Sequence, residues 1–330
     1  MRFIVIHTSG SGTGPDESSK KNYDFKVQYG KISAMNFQWY PGHMTKAKRQ
    51  MQEDIKLIDL VIELLDARVP LASRNPDIDE LAKGKARLIL LNKTDLADEE
   101  VTEKWFKYFE GQGVFVCKVN CKNNSDMKQI NGIVQKACAE KIERDRKRGI
   151  RNRPVRAMVV GIPNVGKSTF INTYARKAAT KTGNKPGVTK GKQWIKLSGS
   201  LELLDTPGIL WPKFEDQTVG LKLALIGSIK DEIMNLEELA LELIKMLEER
   251  YPGVIEKAYN LADVDVSELI AEIEGTGNKA APEVIMLGKI AKVKGCLKSG
   301  GEMDIEKAAN LLLENYRNGK IGRFSLEDPE

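Results

Sequence analysis

The 330-residue sequence has no run of about 18 apolar residues, the length at which a helix begins to span a bilayer. Its early apolar cluster, Phe3 to Ile6, is also shorter than the core of a secretory signal peptide. We therefore expect a soluble, cytoplasmic protein that makes no contact with a membrane.

Cysteine and histidine, the usual ligands of structural zinc, are scarce. The chain has four cysteines and two histidines, and no two cysteines show CxxC spacing. A tetrahedral zinc site is therefore hard to assemble from these residues. We expect buried or free reduced thiols, as is usual in the cytosol.

Acidic charge is scarce in the first two-thirds of the chain. The net charge is +6, but residues 1–229 carry +14 and residues 230–330 carry −8. Residues 141–156 contain eight basic and two acidic residues, and residues 176–196 contain seven basic and no acidic ones. Such runs occur on solvated surfaces and also where a polyphosphate partner binds, and the sequence alone leaves both interpretations open.

Residues 1–35 are polar and rich in glycine and serine. This composition cannot bury enough apolar area to offset the entropy of ordering, so we predict a flexible N-terminal extension. Met35 immediately precedes the aromatic segment Asn36 to Pro41, and we expect it to be the natural start of the protein.

From residue 44 onward, short apolar runs alternate with helical periodicity. This alternation predicts an α/β fold with a mostly parallel, doubly wound sheet. We predict strands at 60–65, 86–91, 114–119, 155–161 and 201–204, and helices at 45–58, 76–83, 98–110 and 124–148. Beyond residue 211 we predict only helices, at 235–250, 252–260, 266–274 and 305–317. We therefore predict an α/β domain at 36–215 and an all-α domain at 216–330.

Residues 161–168, GIPNVGKS, fit the P-loop pattern GxxxxGK[ST] and lie between a predicted strand and a predicted helix. Such a loop turns backbone N–H groups toward phosphate oxygens at a helix N-terminus. Lys167 would add a cation beside the β and γ phosphates, and the hydroxyl of Ser168 would ligate Mg²⁺. The residues expected to contact the nucleotide here are Asn164, Val165, Gly166, Lys167, Ser168 and Thr169.

Asn92, Lys93, Thr94 and Asp95 follow another predicted strand and fit the NKxD motif by which GTPases recognise guanine. A carboxylate at Asp95 can accept from the N1–H and the 2-amino group of guanine, whereas adenine presents an acceptor at N1. The motif therefore predicts GTP as substrate and GDP as product. It argues against the alternative of a P-loop ATPase or kinase.

Three further segments fit parts of a GTPase site. Asn120 and Cys121 follow the strand at 114–119 and fit the degenerate backbone contact to guanine O6. Asp205 and Gly208 belong to the sequence DTPG, in which the aspartate holds Mg²⁺ through water and the glycine N–H meets the γ-phosphate. Thr189 lies in the basic stretch between the P-loop and DTPG, and we expect it to complete the Mg²⁺ coordination. The alternative interpretation is that Thr189 is simply part of a mobile loop.

The order of these motifs differs from that of a Ras-like chain, in which the P-loop comes first. Here the base-recognition motif precedes the P-loop, and DTPG comes last. This order indicates a circular permutation, which leaves a sheet intact because domain termini tend to lie close together. It also makes the DTPG segment run directly into the predicted helical domain.

The permuted order is accompanied by the sequences WYPGHM at 39–44, DARVPLASRNP at 66–76, GGEMD at 300–304 and GKIGR at 319–323. Together they resemble the YlqF/RbgA family of ribosome-assembly GTPases, over residues 36–327. The resemblance implies a P-loop GTPase fold at 36–215 and a helical domain at 216–330 that binds RNA or the ribosome.

It also implies GTP hydrolysis that the ribosomal particle stimulates, at a late step in the assembly of the bacterial large ribosomal subunit. The implied partners are the precursor of that subunit and its ribosomal RNA, and we expect a monomer. The alternative is an RNA-binding scaffold in which the nucleotide only gates affinity.

Two residues have candidate roles in hydrolysis. Ile209 stands where a Ras-like enzyme has the glutamine that orients the attacking water, so His43 is our candidate for that role. The alternative is that His43 caps the following helix or packs against it. Asn164 resembles the P-loop asparagine that ligates K⁺ in potassium-activated GTPases. The alternative interpretation is that Asn164 only shapes the turn.

Overall fold

The fold is described from a computed structural model of the chain. The structure describes residues 49–150, 153–182, 194–198, 201–205, 216–275 and 279–329. All of them belong to one compact unit, Met35–Glu330. The predicted extension at 1–35 lies outside the described residues, and the boundary between residues 215 and 216 stays a prediction.

The first part of the described chain alternates strands with helices. The strands are β1 (Leu60–Asp66), β2 (Ala86–Asn92), β3 (Phe115–Lys118), β4 (Val155–Val160), β5 (Trp194–Ser198) and β6 (Leu201–Asp205). The helices are α1 (49–54), α2 (Asp77–Leu81), α3 (Glu99–Gly111), α4 (Met127–Ala137), α5 (Ala139–Lys147) and α6 (Lys167–Thr182). A short 3-10 helix, Ile55–Leu57, follows α1.

The six strands form one sheet in the order β3-β2-β1-β4-β6-β5. Neighbouring strands run parallel except β5, which is antiparallel to β6. This confirms the predicted mostly parallel sheet. The carboxyl ends of the five parallel strands therefore lie at one edge of the sheet, where Asp66 is paired with Asn92, and Asp205 with Val159.

The central strands are almost entirely apolar because both faces of the sheet are covered. All seven residues of β1 are buried. On β2, alternate residues point to different apolar clusters: Leu88 and Leu90 join the main core, whereas Ile89 and Leu91 pack with Trp105 of α3. The sheet is thus a rigid support for the loops at its carboxyl edge.

The second part of the described chain is helical. Its helices are α7 (Gln217–Leu225), α8 (Leu236–Arg250), α9 (Val254–Tyr259), α10 (Ser267–Gly275), α11 (Pro282–Val293) and α12 (Ile305–Arg317), with a short 3-10 helix at Asp231–Ile233. α8 contacts α7, α9, α11 and α12, and its Leu239, Leu243 and Leu247 are fully buried. Among the described helices, none is both long enough and apolar enough to cross a membrane.

The predicted continuous helix at 124–148 is wrong. The chain forms two helices, α4 and α5, that meet at Cys138. α4 buries Met127, Ile130 and Val134, whereas α5 has one buried residue, Asp145. The helical pattern of the sequence runs through residue 138, and the break lies in the backbone of Cys138, whose φ of −105° and ψ of 15° depart from the helical values.

Three elements were not predicted. α7 was missed because five of its nine residues are buried, which leaves only a weak amphipathic period. α11 begins with Pro282 and buries Val284, Leu287 and Ile290. β5 is an edge strand that pairs only with β6 among the described strands, and its sequence is too short and mixed to give a strand signal.

Beyond α12 the chain returns across the α/β part. We call residues 319–328 the carboxyl segment. The Trp105 Nε1–H of α3 donates to the Glu327 carbonyl at 3.1 Å. The Glu327 carboxylate accepts from the backbone N–H groups of Leu71 and Ala72, the latter at 3.1 Å, and from Lys222 Nζ at 3.0 Å. The carboxyl segment therefore links α7 to the loop after β1.

Replacing Glu327 with alanine should lower the free energy of unfolding by roughly 3 kcal/mol, because buried donors left without an acceptor each cost about 1–3 kcal/mol. Glu327 is only 7% exposed, so water cannot easily replace its oxygens. Urea titration of the purified protein measures the change.

The matched control is Asp328→Asn. The Asp328 side chain is 41% exposed and its ion pairs are with Arg250 and Lys104 at the surface. Exposed ion pairs contribute about 0–1 kcal/mol, so the free energy of unfolding of this variant should be close to that of the parent protein. Equal losses in the two variants would contradict the role given to Glu327.

Candidate active site

The P-loop connects β4 to α6 and lies against the carboxyl ends of β1 and β2. At Gly161, where φ is 150°, a Cβ would lie 2.7 Å from the Leu64 carbonyl oxygen. At Gly166, where φ is 106°, a Cβ would lie 2.4 Å from the Asn92 Nδ2. Only glycine allows both the backbone angles and the close approach.

Lys167 is the first residue of α6 and folds back over the P-loop. Its Nζ donates to the carbonyl oxygens of Gly161 at 2.9 Å and Ile162 at 2.6 Å. The next two side chains, Ser168 and Thr169, are exposed at the start of the helix. Backbone N–H groups and the positive end of the helix dipole at this position favour an anion such as phosphate.

Asn164 in the P-loop adopts a left-handed conformation with φ of 59°. Its side-chain Nδ2 donates to the Gly227 carbonyl at 2.7 Å. Gly227 follows α7, so the P-loop touches the helical part directly. This bond uses the nitrogen of the Asn164 side-chain amide and fixes the orientation of its oxygen, Oδ1.

Asn92, at the end of β2, joins three motifs through one side chain. Its Nδ2 donates to the Val165 carbonyl of the P-loop at 2.7 Å, and its Oδ1 accepts from the Cys121 N–H at 3.0 Å. The Thr94 N–H donates to the Val119 carbonyl at 3.4 Å. The base-recognition motif, the P-loop and the segment at 120–121 therefore meet at one place.

Lys93 is held by a buried charge cluster. Its φ is 62°, and its Nζ lies 2.9 Å from the Asp66 Oδ2. Asp66 is fully buried and also accepts from Arg68 Nε at 2.9 Å and Nη2 at 2.8 Å. Burial alone would raise the pKa of Asp66, but Arg68 and Lys93 outweigh it and hold the pKa well below its usual range. The ionised Asp66 thus fixes the start of the base-recognition loop.

Asp95 lies exposed on the loop after β2. The neighbouring segment is shaped by Asn120, whose N–H donates to Asp126 Oδ2 at 2.8 Å and whose Oδ1 accepts from the Lys122 N–H at 2.9 Å. Burial raises the pKa of the Cys121 thiol to about 12, so the thiol stays protonated. The backbone N–H groups of Asn120, Cys121 and Lys122 all donate within the chain, so the shape of this segment is fixed.

Ser168 and Asp205 carry the oxygen donors that Mg²⁺ prefers. Asp205 ends β6 and is paired with Val159 of β4. Val159 lies two residues before the start of the P-loop. A serine hydroxyl and a carboxylate are hard oxygen donors of the kind that Mg²⁺ takes together with phosphate oxygens and water. The described residues contain no cluster of three or more His, Cys, Asp or Glu side chains that could hold a metal alone. The predicted positions His43, Thr189 and Gly208 lie outside the described residues.

Four residues that contribute to the site were not predicted from the sequence: Asp66, Arg68, Gly227 and Arg323. Asp66 ends a buried strand at the edge where ligands bind in parallel sheets, so the rule that points to Asn92 also points to it. Gly227 and Arg323 reach the site from the helical part and the carboxyl segment. No local pattern in the sequence indicates those contacts.

Known proteins share both the sequence and the fold. Residues 156–281 match the family described as 50S ribosome-binding GTPase. Ribosome biogenesis GTPase A of Bacillus cereus is 47% identical over 298 residues, which cover 90% of this chain and 95% of that protein. The protein of the same name from Thermotoga maritima is 34% identical and covers 88% of this chain and 94% of its own length.

A more distant relative is mitochondrial ribosome-associated GTPase 1 of Bos taurus, 31% identical over 88% of both chains. Among solved structures, GNP-bound YlqF from T. maritima is 30% identical with a TM-score of 0.56, over 86% of this chain and 99% of that one. The chain therefore belongs to the ribosome biogenesis GTPase A (YlqF/RbgA) family of enzymes that hydrolyse GTP.

Proposed function

We propose that this cytoplasmic protein binds and hydrolyses GTP to control a late step in the assembly of the large ribosomal subunit, acting as a monomer. The observation that carries the proposal is the Asn92 amide, which brings the base-recognition loop, the segment at 120–121 and the P-loop together. GTP would lie across this junction, with its base at Asp95 and its phosphates at the start of α6.

The phosphate end of the site would be held by the P-loop backbone from 163 to 169. Lys167 is already folded over the loop, so a phosphate would compete with the carbonyl oxygens of Gly161 and Ile162 for its ammonium. Ser168 and Asp205, with Thr189, would hold Mg²⁺. The ion would supply positive charge that offsets the negative charge developing on the phosphates in the transition state.

Hydrolysis also needs a group that orients the attacking water. We assign this role to His43, since isoleucine at position 209 cannot form the hydrogen bond. Asn164 would ligate K⁺ through Oδ1, while its Nδ2 stays bonded to Gly227. Gly208, at the end of the DTPG sequence, would meet the γ-phosphate and respond to its loss.

The ribosomal partner would be contacted through RNA. The last turn of α5 carries Arg144, Arg146 and Lys147, all exposed. Asp145, between them, is paired with Lys141 at 3.1 Å, so its charge does not neutralise this basic surface. A dense row of cations on one exposed turn fits a phosphate backbone, and the names of the relatives place those proteins at the ribosome.

Asp95→Asn should weaken GTP binding by at least roughly 100-fold, because the variant loses hydrogen bonds to a charged acceptor that are worth about 1.5–3 kcal/mol each. The same variant should gain affinity for xanthosine triphosphate. Xanthine carries a carbonyl where guanine carries its 2-amino group, and asparagine can donate to that carbonyl.

Isothermal titration with both nucleotides measures this exchange. The control is Glu99→Gln, which removes an acid that is 86% exposed at the start of α3. An Asp95→Asn protein that kept its GTP affinity, or gained none for xanthosine triphosphate, would remove Asp95 from the base site.

Replacing Arg144, Arg146 and Lys147 with alanine should weaken binding to the large ribosomal subunit and flatten its salt dependence. Each lost phosphate contact lowers the logarithmic salt slope by roughly 0.7–0.9, so the triple variant should lose about 2 to 3 units of slope. Co-sedimentation with purified subunits in a non-hydrolysable GTP analogue, at several salt concentrations, gives the slope.

The control removes the same charge from three scattered, exposed lysines, Lys83, Lys257 and Lys320. Its slope should stay close to that of the parent. If both triple variants sediment alike, the last turn of α5 is not the RNA contact.

Turnover of GTP should be at least roughly tenfold faster in KCl than in NaCl, because a cation beside the β and γ phosphates takes the place of an arginine finger, whose effect is about 10³-fold or more. Asn164→Ala should abolish this difference. Asn310→Ala, on the exposed side of α12, should retain it. Equal rates of the parent protein in the two salts would exclude a K⁺ site.

A further inference from the structure

The carboxyl segment crosses the loop that carries Asp95. Arg323 Nε donates to the Ala97 carbonyl and Arg323 Nη2 to the Thr94 carbonyl, both at 3.0 Å. The Phe324 N–H donates to the Leu96 carbonyl at 3.1 Å. Three of the four carbonyl groups from Thr94 to Ala97 therefore accept hydrogen bonds from the carboxyl segment.

The end of the same loop is bonded to the carboxyl segment as well. The Asp98 N–H donates to Ser325 Oγ at 3.2 Å. Asp98 is also the N-cap of α3, and its Oδ1 accepts from the Val101 N–H at 3.0 Å. The loop is thus fixed from its first turn after β2 to the beginning of the next helix.

The carboxyl segment is itself rigidly anchored on its other side. The Ser325 carbonyl accepts from Arg250 Nε at 3.0 Å and from the Tyr251 hydroxyl at 3.3 Å. Phe324 is buried against Tyr251, with ring centroids 5.0 Å apart. The Leu326 N–H donates to the Arg68 carbonyl at 2.8 Å. Contacts from α8 and from the loop after β1 therefore fix the position of Arg323.

Base recognition requires a fixed position of the Asp95 carboxylate, which the loop does not secure by regular secondary structure. Residues 93–98 contain no helix or strand, and Lys93 has a left-handed backbone. Yet a carboxylate discriminates between bases only when it is held within about 0.5 Å of its productive position. The planar guanidinium of Arg323, which bridges two carbonyl groups three residues apart, fixes the curvature of the loop on either side of Asp95.

We propose that Arg323 is a positioning residue for guanine recognition, which acts through the backbone of residues 94–97 to hold the Asp95 carboxylate against the 2-amino group of the base. The inference depends on the base-binding role proposed for Asp95. Arg323 would touch neither the nucleotide nor the reacting atoms. Its side chain is 48% exposed, so its removal should leave the fold intact.

The test compares GTP with inosine triphosphate, whose base lacks the 2-amino group but keeps N1–H and O6. In Arg323→Ala the KM for GTP should rise roughly tenfold, as expected if the released loop holds Asp95 in its productive position only about a tenth of the time. The KM for inosine triphosphate should change less, so the preference for guanine should fall. The kcat at saturating GTP should stay within about twofold of the parent, because the P-loop is untouched.

Two variants serve as controls. Lys320→Ala removes the same charge from an exposed position of the same segment, and Glu99→Gln removes the carboxylate that lies 3.6 Å from Arg323 Nη1. Both should keep the nucleotide preference of the parent. Arg323→Lys keeps the charge but loses the planar pair of N–H donors. Its preference for GTP over inosine triphosphate should lie between those of the parent and of Arg323→Ala.

An Arg323→Ala protein with an unchanged preference for GTP would overturn the proposal. So would equal losses for both nucleotides accompanied by a lower kcat and a lower melting temperature, because those changes would indicate a structural role only. A parent protein that does not distinguish GTP from inosine triphosphate would instead refute the contact between Asp95 and the 2-amino group, and the inference with it.

Discussion

The side-chain amide of Asn92 donates to the P-loop and accepts from the segment after β3, and the relative position of these two segments and the end of β2 depends on these two bonds. The side chain is only 3% exposed, so water cannot take over either bond. The contact also requires glycine at position 166, because a Cβ there would collide with the amide nitrogen. The end of β2 and the P-loop are therefore held at a fixed distance from each other.

A second set of contacts ties this junction to the helical part. Arg317, at the end of α12, donates to the carbonyl oxygens of Ala224 and Leu225 and pairs with Asp231. These bonds hold the end of α7, and Gly227 just beyond it accepts from Asn164 of the P-loop. The permuted chain thus places the end of α7 against the P-loop and the carboxyl segment against the loop at residues 94–98, although both contacts join residues far apart in sequence.

Local chemistry made the sheet and the motifs predictable. Buried strands are continuous apolar runs, and the P-loop and NKTD sequences need particular residues at fixed spacing. The break at Cys138, the apolar helix α7 and the edge strand β5 were missed because each is set by tertiary packing. Gly227 and Arg323 were missed for the same reason, since partners 63 and 229 residues away define their roles.

The position of the carboxyl segment in the chain has a consequence for biosynthesis. Residues 323–327 emerge from the translating ribosome only after every described helix and strand has been made. Until then, the carbonyl groups of Thr94, Leu96 and Ala97 and the indole of Trp105 lack the partners they have in the finished protein. A nascent chain can form its sheet and P-loop earlier, whereas the loop that carries Asp95 gains these partners last.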